Sequence, residues 1–373
     1  MIAGQPAAVE APDREGRALV LAGGGIIGMF YEIGVLAALE ESFPPGPFSQ
    51  HFDLFVGTSA GAVTAAFVAN GAQPSEMFRA LRDDLDSPFN FQPEDVFGTP
   101  AGNMIQLFTQ FARPILGAVG GAIRRGSRAT LASLLADFQA HHPPGFYSTE
   151  PLERALCARF TALGYAHHFP GLPRPLYVTG VDVDTAERLV FGEDELAEVH
   201  VCRAVAASSA IPIFFEPIRI GERDVVDGAV AGAPPIDVAA ERGARHIVYV
   251  NPLVPIRNDR GKVSFPLGDG GCGRLRDRGI GWIADQTLRM LLAAQLPAAL
   301  VAVHARYPGL VVQSIAPLPD ELPMFLHHAM SFDARRELLD YGYACGQRTA
   351  PAAPPSPFSP ARLRSVMSCC MRH

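Results

Sequence analysis

Short apolar runs recur along the chain, and stretches with helical spacing fill the intervals between them. Residues 18–21 (Ala-Leu-Val-Leu) form the first run and read as a strand. Residues 30–40 follow, with Ile33, Leu36, Ala37 and Leu39 spaced as one helix face. Residues 52–56 are β-prone and apolar apart from Asp53, and the Ala-rich stretch 60–69 reads as a helix stopped by Asn70-Gly71. The same rhythm predicts strands at 176–181, 188–191, 246–250 and 309–315. It predicts helices at 198–207, 280–305 (kinked at Pro297) and 333–345. Alternating strands and helices imply an α/β fold, with a mostly parallel sheet covered by helices on both faces.

Three stretches fall outside this rhythm. Residues 1–16 read as a loose leader. Residues 349–373, rich in Pro, Ser and Arg, read as a disordered tail. Residues 91–150 interrupt the domain spanning 17–348. They hold Met104-Ile105-Gln106-Leu107-Phe108, Phe111 and Pro114-Ile115-Leu116, closed by Arg124-Arg125, and read as a helical cap inserted between core elements.

Three short motifs supply the candidate chemistry. In Gly57-Thr58-Ser59-Ala60-Gly61 the serine falls between a predicted strand and a predicted helix, the setting of a nucleophile elbow. Glycines at Gly57 and Gly61 suit a strained turn where two elements pass closely, and the helix N-terminus favours negative charge at Ser59. A serine that merely caps a helix is the bland alternative. The loop Gly23-Gly24-Gly25-Ile26-Ile27-Gly28 also lies between strand and helix and can aim several backbone N–H groups at one point, as an oxyanion requires. It satisfies G-x-G-x-x-G too, the dinucleotide fingerprint, with Asp53 as the candidate ribose acid. Asp53 stands near the start of its strand, whereas a ribose-binding acid belongs at the end. Last, Val225-Val226-Asp227-Gly228-Ala229 places an acid at the end of a β-prone segment. Alone it reads as a hairpin turn, but it follows Ala207-Ser208-Ser209-Ala210-Ile211-Pro212.

In that order and spacing, the glycine loop, the G-x-S-x-G elbow, the A-S-x-A-x-P stretch and the D-G-A turn resemble the patatin-like phospholipases, over residues 23–229. The resemblance implies a Ser–Asp dyad. Ser59 is the nucleophile, Asp227 takes its proton, and Gly23, Gly24 and Gly25 hold the oxyanion with help from the Ala60 N–H. Gly28, Gly57, Gly61, Gly228 and Ala229 complete the motifs. An ordinary Asp is a weak base for a serine, so Asp227 is expected in an apolar cleft that raises its pKa. Relatives often carry Arg or Lys at the fifth loop position, where this chain has Ile27. The expected substrate is a lipid or phospholipid acyl ester, with surface contact made through the cap acting as a lid. Competing readings are a carboxylesterase or thioesterase on soluble acyl groups, a nucleotide-binding protein and a catalytically silent interaction protein. A Ser-His-Asp triad would draw on His200, His246, His304 or the pair His327-His328; His246 and His304 read as structural.

Composition sets outer limits. With 373 residues, 48% of them hydrophobic, the chain suffices for one large α/β domain with insertions. A net charge of −7 and a single lysine, Lys262, offer nothing to nucleic acid. The spacing of Cys157, Cys202, Cys272, Cys345, Cys369 and Cys370 fits neither a zinc pattern nor a disulfide framework, and reduced thiols are expected. No calcium loop of the D-x-[DN]-x-[DN]-G type occurs, so neither metal nor other cofactor is expected. Acids at Glu10, Asp13 and Glu15 argue against a conventional signal peptide, and no run reads as apolar enough to span a membrane. The expected location is the cytoplasm or the membrane periphery. Export without a cleaved signal is the alternative, because some relatives are secreted effectors.

Overall fold

The structure is a computed structural model that describes residues 16–98, 144–258, 274–318 and 334–349, with isolated positions between 116 and 130. The expected leader and tail, and most of the expected cap, lie outside the described residues.

Elements alternate as the apolar pattern implies. Strand β1 (Arg17–Leu21) leads into helix α1 (Gly25–Glu40), and β2 (Leu54–Thr58) into α2 (Ala60–Ala69). After α3 (Pro74–Arg82) and α4 (Pro93–Phe97) come β3 (Gly145–Tyr147), α5 (Glu150–Leu163), β4 (Leu176–Asp182) and β5 (Arg188–Phe191). Helix α6 (Val201–Ser208) precedes β6 (Ile213–Phe215), β7 (Ile218–Ile220) and β8 (Arg223–Asp227). Helix α7 (Ile236–Glu241), β9 (His246–Val250), α8 (Ile280–Arg306), β10 (Val311–Ile315) and α9 (Arg335–Thr349) complete the order.

The main sheet runs β10-β9-β1-β2-β4-β8-β7, with β5 added beside β4. Pairing is parallel from β10 to β4 and antiparallel where β5, β8 and β7 join. The sheet is therefore mixed and mostly parallel. Strand alternation sends successive side chains to opposite faces. Leu19, Leu21 and Phe55 pack with α1, α2, α6 and α9, whereas Ala18, Val20 and Val56 pack with α7 and the end of α8. Parallel strands buried on both faces need apolar residues at every position, which is why β1 and β2 read as unbroken runs. In β2 all five residues are buried.

Four expectations shift. Helix α1 starts at Gly25 rather than Phe30, so the glycine loop already forms its first turn; Gly24, at φ 151°, is the cap. Helix α9 runs past Cys345 to Thr349. His304 is exposed, its Nδ1 2.7 Å from the Leu300 carbonyl, and does not pack in the core. The expectation that no run could span a membrane also fails: α8 is long and apolar enough by length and composition. Asp285 and Arg289 break the run in sequence, but they pair at 2.8 Å and Arg289 is fully buried. Little of the apolar stretch is itself buried, and Met290, Leu291 and Val301 are each more than half exposed.

Candidate active site

Strand β2 ends at Thr58 and α2 begins at Ala60, so Ser59 occupies the turn alone, at φ 55° and ψ −127°. Such a conformation costs a non-glycine residue roughly 1–3 kcal/mol and persists only when the surroundings impose it. Here they do. A methyl on Gly57 would fall 2.5 Å from Ala62 Cα, and one on Gly61 would fall 2.6 Å from the Leu21 carbonyl oxygen. Without side chains at both positions, α2 lies directly against β1 and β2, and the turn is forced outward at Ser59.

The Ser59 N–H donates to Ser208 Oγ at 2.7 Å. Ser208 is the last residue of α6 and is fully buried. Sequence reading passed over this contact, although Ser208 lies in the A-S-x-A-x-P stretch that it singled out. A second buried contact, Thr58 Oγ1 to Thr179 Oγ1 at 2.7 Å, ties the end of β2 to β4.

Asp227 closes β8. Its backbone N–H donates to the Ala210 carbonyl at 3.0 Å, and its Oδ1 accepts the Ala229 N–H at 2.8 Å. The Ser59 hydroxyl lies beside the same carboxylate. Ser59 and Asp227, 168 residues apart by number, thus meet as a pair that is 2% and 1% exposed. Burial raises the Asp227 pKa from its ordinary 3.8 to about 7, opposed by the neighbouring Ser59 hydroxyl and by the hydrogen bond from the Ala229 N–H. A carboxylate so placed is a far better base near neutral pH than one in water.

The glycine loop faces this pair. A methyl on Gly23 would fall 2.8 Å from Ser59 Cβ, so the loop backbone passes directly over the serine. Gly25, Ile26 and Ile27 form the first turn of α1, where backbone N–H groups have no partner within the helix. Ala60 and Gly61 hold the same place in α2. Gly28 backs tightly onto Pro252, and Gly228 backs onto Thr179 with no room for a side chain. Ile27 is fully buried in the core, facing away from any ligand.

The structure also weighs the rival readings. Asp53 accepts the Arg17 N–H at 2.8 Å, and its own N–H donates to the Arg17 carbonyl at 2.7 Å. It stitches the starts of β1 and β2, at the opposite strand ends from the glycine loop, so it is no ribose ligand. The Asp227 carboxylate accepts the Ala229 N–H and has the Ser59 hydroxyl beside it; among the described residues no histidine is hydrogen-bonded to it. His327 and His328 lie outside the described residues. A cleft open to solvent lies beside the pair, lined by their neighbours Gly23, Thr58 and Gly228, by Tyr249, and by Leu292 and Leu296 of α8.

Residues 19–240 match the family profile described as patatin-like phospholipase. The uncharacterized protein YqhO of Bacillus subtilis (strain 168) is 26% identical over 259 residues, which are 65% of this chain and 73% of YqhO. Among solved structures, VipD from Legionella pneumophila aligns with a TM-score of 0.37 and 15% identity, over 91% of this chain and 67% of VipD. The type III effector ExoU of Pseudomonas aeruginosa aligns with a TM-score of 0.36 and 16% identity, over 91% of this chain and 53% of that one. The chain thus spans about half the length of ExoU.

Proposed function

Because the chain belongs to the patatin-like phospholipase family, we propose that it is a serine acyl hydrolase of lipid esters, working through Ser59 and Asp227 by way of an acyl-enzyme. The observation that carries this reading is the buried Asp227 carboxyl set beside the Ser59 hydroxyl at the strand–helix turn, where burial raises its pKa to about 7. In the first half-reaction Asp227 takes the proton as Ser59 Oγ bonds to the ester carbonyl carbon. The carbonyl oxygen becomes the oxyanion and receives N–H groups of Gly23–Gly25 and Ala60. Losing one such donor typically costs about 10²–10³ in rate. Collapse expels the alcohol, which leaves with the proton from Asp227. In the second half-reaction Asp227 deprotonates a water that attacks the acyl-Ser59 ester; the fatty acid departs as Asp227 returns that proton to Ser59 Oγ.

The lipid class of substrate is supported by α8. Leu292 and Leu296 border the cleft, while Met290 and Leu291, on the same helix, are exposed to solvent. An apolar helix that continues from the cleft to the surface suits an ester presented in an aggregate. The surface contact expected of the cap is therefore assigned to α8 as well.

Labelling with a fluorophosphonate tests the dyad. Wild type should label, and both Ser59→Ala and Asp227→Asn should not. Full labelling of Ser59→Ala would place the nucleophile elsewhere. A soluble carboxylesterase is the second reading, and activity on short-chain esters that does not rise on lipid vesicles would favour it.

A further inference from the structure

Cys157 on α5, His167 in the loop that follows and Cys202 in the first turn of α6 converge. The two Sγ atoms and one imidazole nitrogen all lie within 4.8 Å of one another. Their spacing in sequence resembles no metal motif, because the site draws on two helices and a loop. Cys202 is fully buried, and Cys157 and His167 are half-buried.

We propose that Cys157, Cys202 and His167 bind a zinc ion that clamps α5 to α6. Two thiolates and an imidazole are a borderline-soft donor set that suits zinc and not magnesium or calcium. Zn–S bonds of about 2.3 Å and Zn–N bonds of about 2.0 Å set tetrahedral edges of about 3.5–3.8 Å, which the cluster reaches by closing about 1 Å. The proton balance is simple: Zn²⁺ displaces one proton from each thiol, leaving an uncharged centre that tolerates burial. The imidazole is held in a suitable form. The Thr161 hydroxyl donates its one proton to the Cys157 carbonyl at 2.9 Å and lies 3.2 Å from His167 Nε2. It therefore accepts from Nε2–H, which leaves the other ring nitrogen with its lone pair. The nearby acid Glu153, one turn before Cys157, is engaged by Arg203 at 2.7 Å, so the fourth position falls to water.

The clamp acts at a distance on the site. Cys202 and Ser208 bracket α6, six residues or about 9 Å apart, and Ser208 Oγ holds the Ser59 N–H. Fixing the start of α6 fixes the acceptor at its end.

Elemental analysis of the full chain, purified without chelator, tests the proposal. About one zinc per chain is expected, with loss in both Cys157→Ser and His167→Gln. These positions are half-buried, and circular dichroism checks that the variants fold. Reconstitution with Co²⁺ should give a thiolate-to-cobalt band in wild type alone. Added zinc should raise the melting temperature of the stripped wild type and leave that of Cys157→Ser unmoved. Zinc retained in full by both variants would move the site to other cysteines and overturn the proposal. So would a folded wild type with neither metal nor cobalt band, or a mass 2 Da low that shows a Cys157–Cys202 disulfide.

Discussion

Asp227→Asn separates folding from chemistry at the dyad. Burial raises the Asp227 pKa from 3.8 to about 7, so the folded protein keeps a proton that the unfolded chain surrenders in mild acid. Between those values the unfolded state binds fewer protons, and stability falls as pH rises. By pH 8 the group is ionised in both states, and its burial costs about 4 kcal/mol; at pH 5 the cost falls to about 2 kcal/mol. Asparagine cannot ionise, yet its amide oxygen can still accept the Ala229 N–H. The variant should therefore gain about 2–3 kcal/mol on wild type between pH 5 and pH 8. Urea denaturation read through the one tryptophan, the buried Trp282, measures this directly. Over the same range wild-type kcat/KM should climb with a midpoint near 7, as the ionised base appears, while the variant stays inactive. Stability curves that run parallel for the two proteins would refute the reasoning, as would an activity midpoint near 4.

Ser208→Ala leaves the buried Ser59 N–H without its acceptor, so a loss of about 1–3 kcal/mol is expected in urea denaturation. In steady-state assays kcat should fall more than KM changes, because Ser208 positions the nucleophile. Gly61→Ala drives a methyl into the carbonyls of Leu21 and Ala22 and should cost about 2–3 kcal/mol, seen as a lower Tm. Replacing exposed Met290 and Leu291 together by Glu should leave stability within about 0.5 kcal/mol and hydrolysis of a soluble short-chain ester unchanged. Activity on lipid vesicles should drop at least about tenfold if α8 meets the lipid surface, and equal activity on vesicles would remove that role.

The sequence by itself determined the strand–turn–helix units that carry Ser59 and the glycine loop. Their information is local: apolar runs too short for helices, glycines where elements must touch, and a helix-forming stretch behind each. It also marked Asp227, through the order of motifs. It misplaced what depends on partners. The start of α1 shifted because Gly25, Ile26 and Ile27 are held by the fold and not by their own propensity. The apolar length of α8 is a matter of composition, whereas the pairing of Asp285 with Arg289 and the burial of Arg289 depend on the fold. Only the tertiary structure decided that Asp227 is buried against Ser59, because a pKa follows from desolvation by residues remote in the chain. The same holds for Ser208 beneath Ser59 and for Cys157, His167 and Cys202 beside one another. Spacing records neighbours along a helix or a turn, whereas these contacts join separate elements whose approach is set by the packing of the whole sheet.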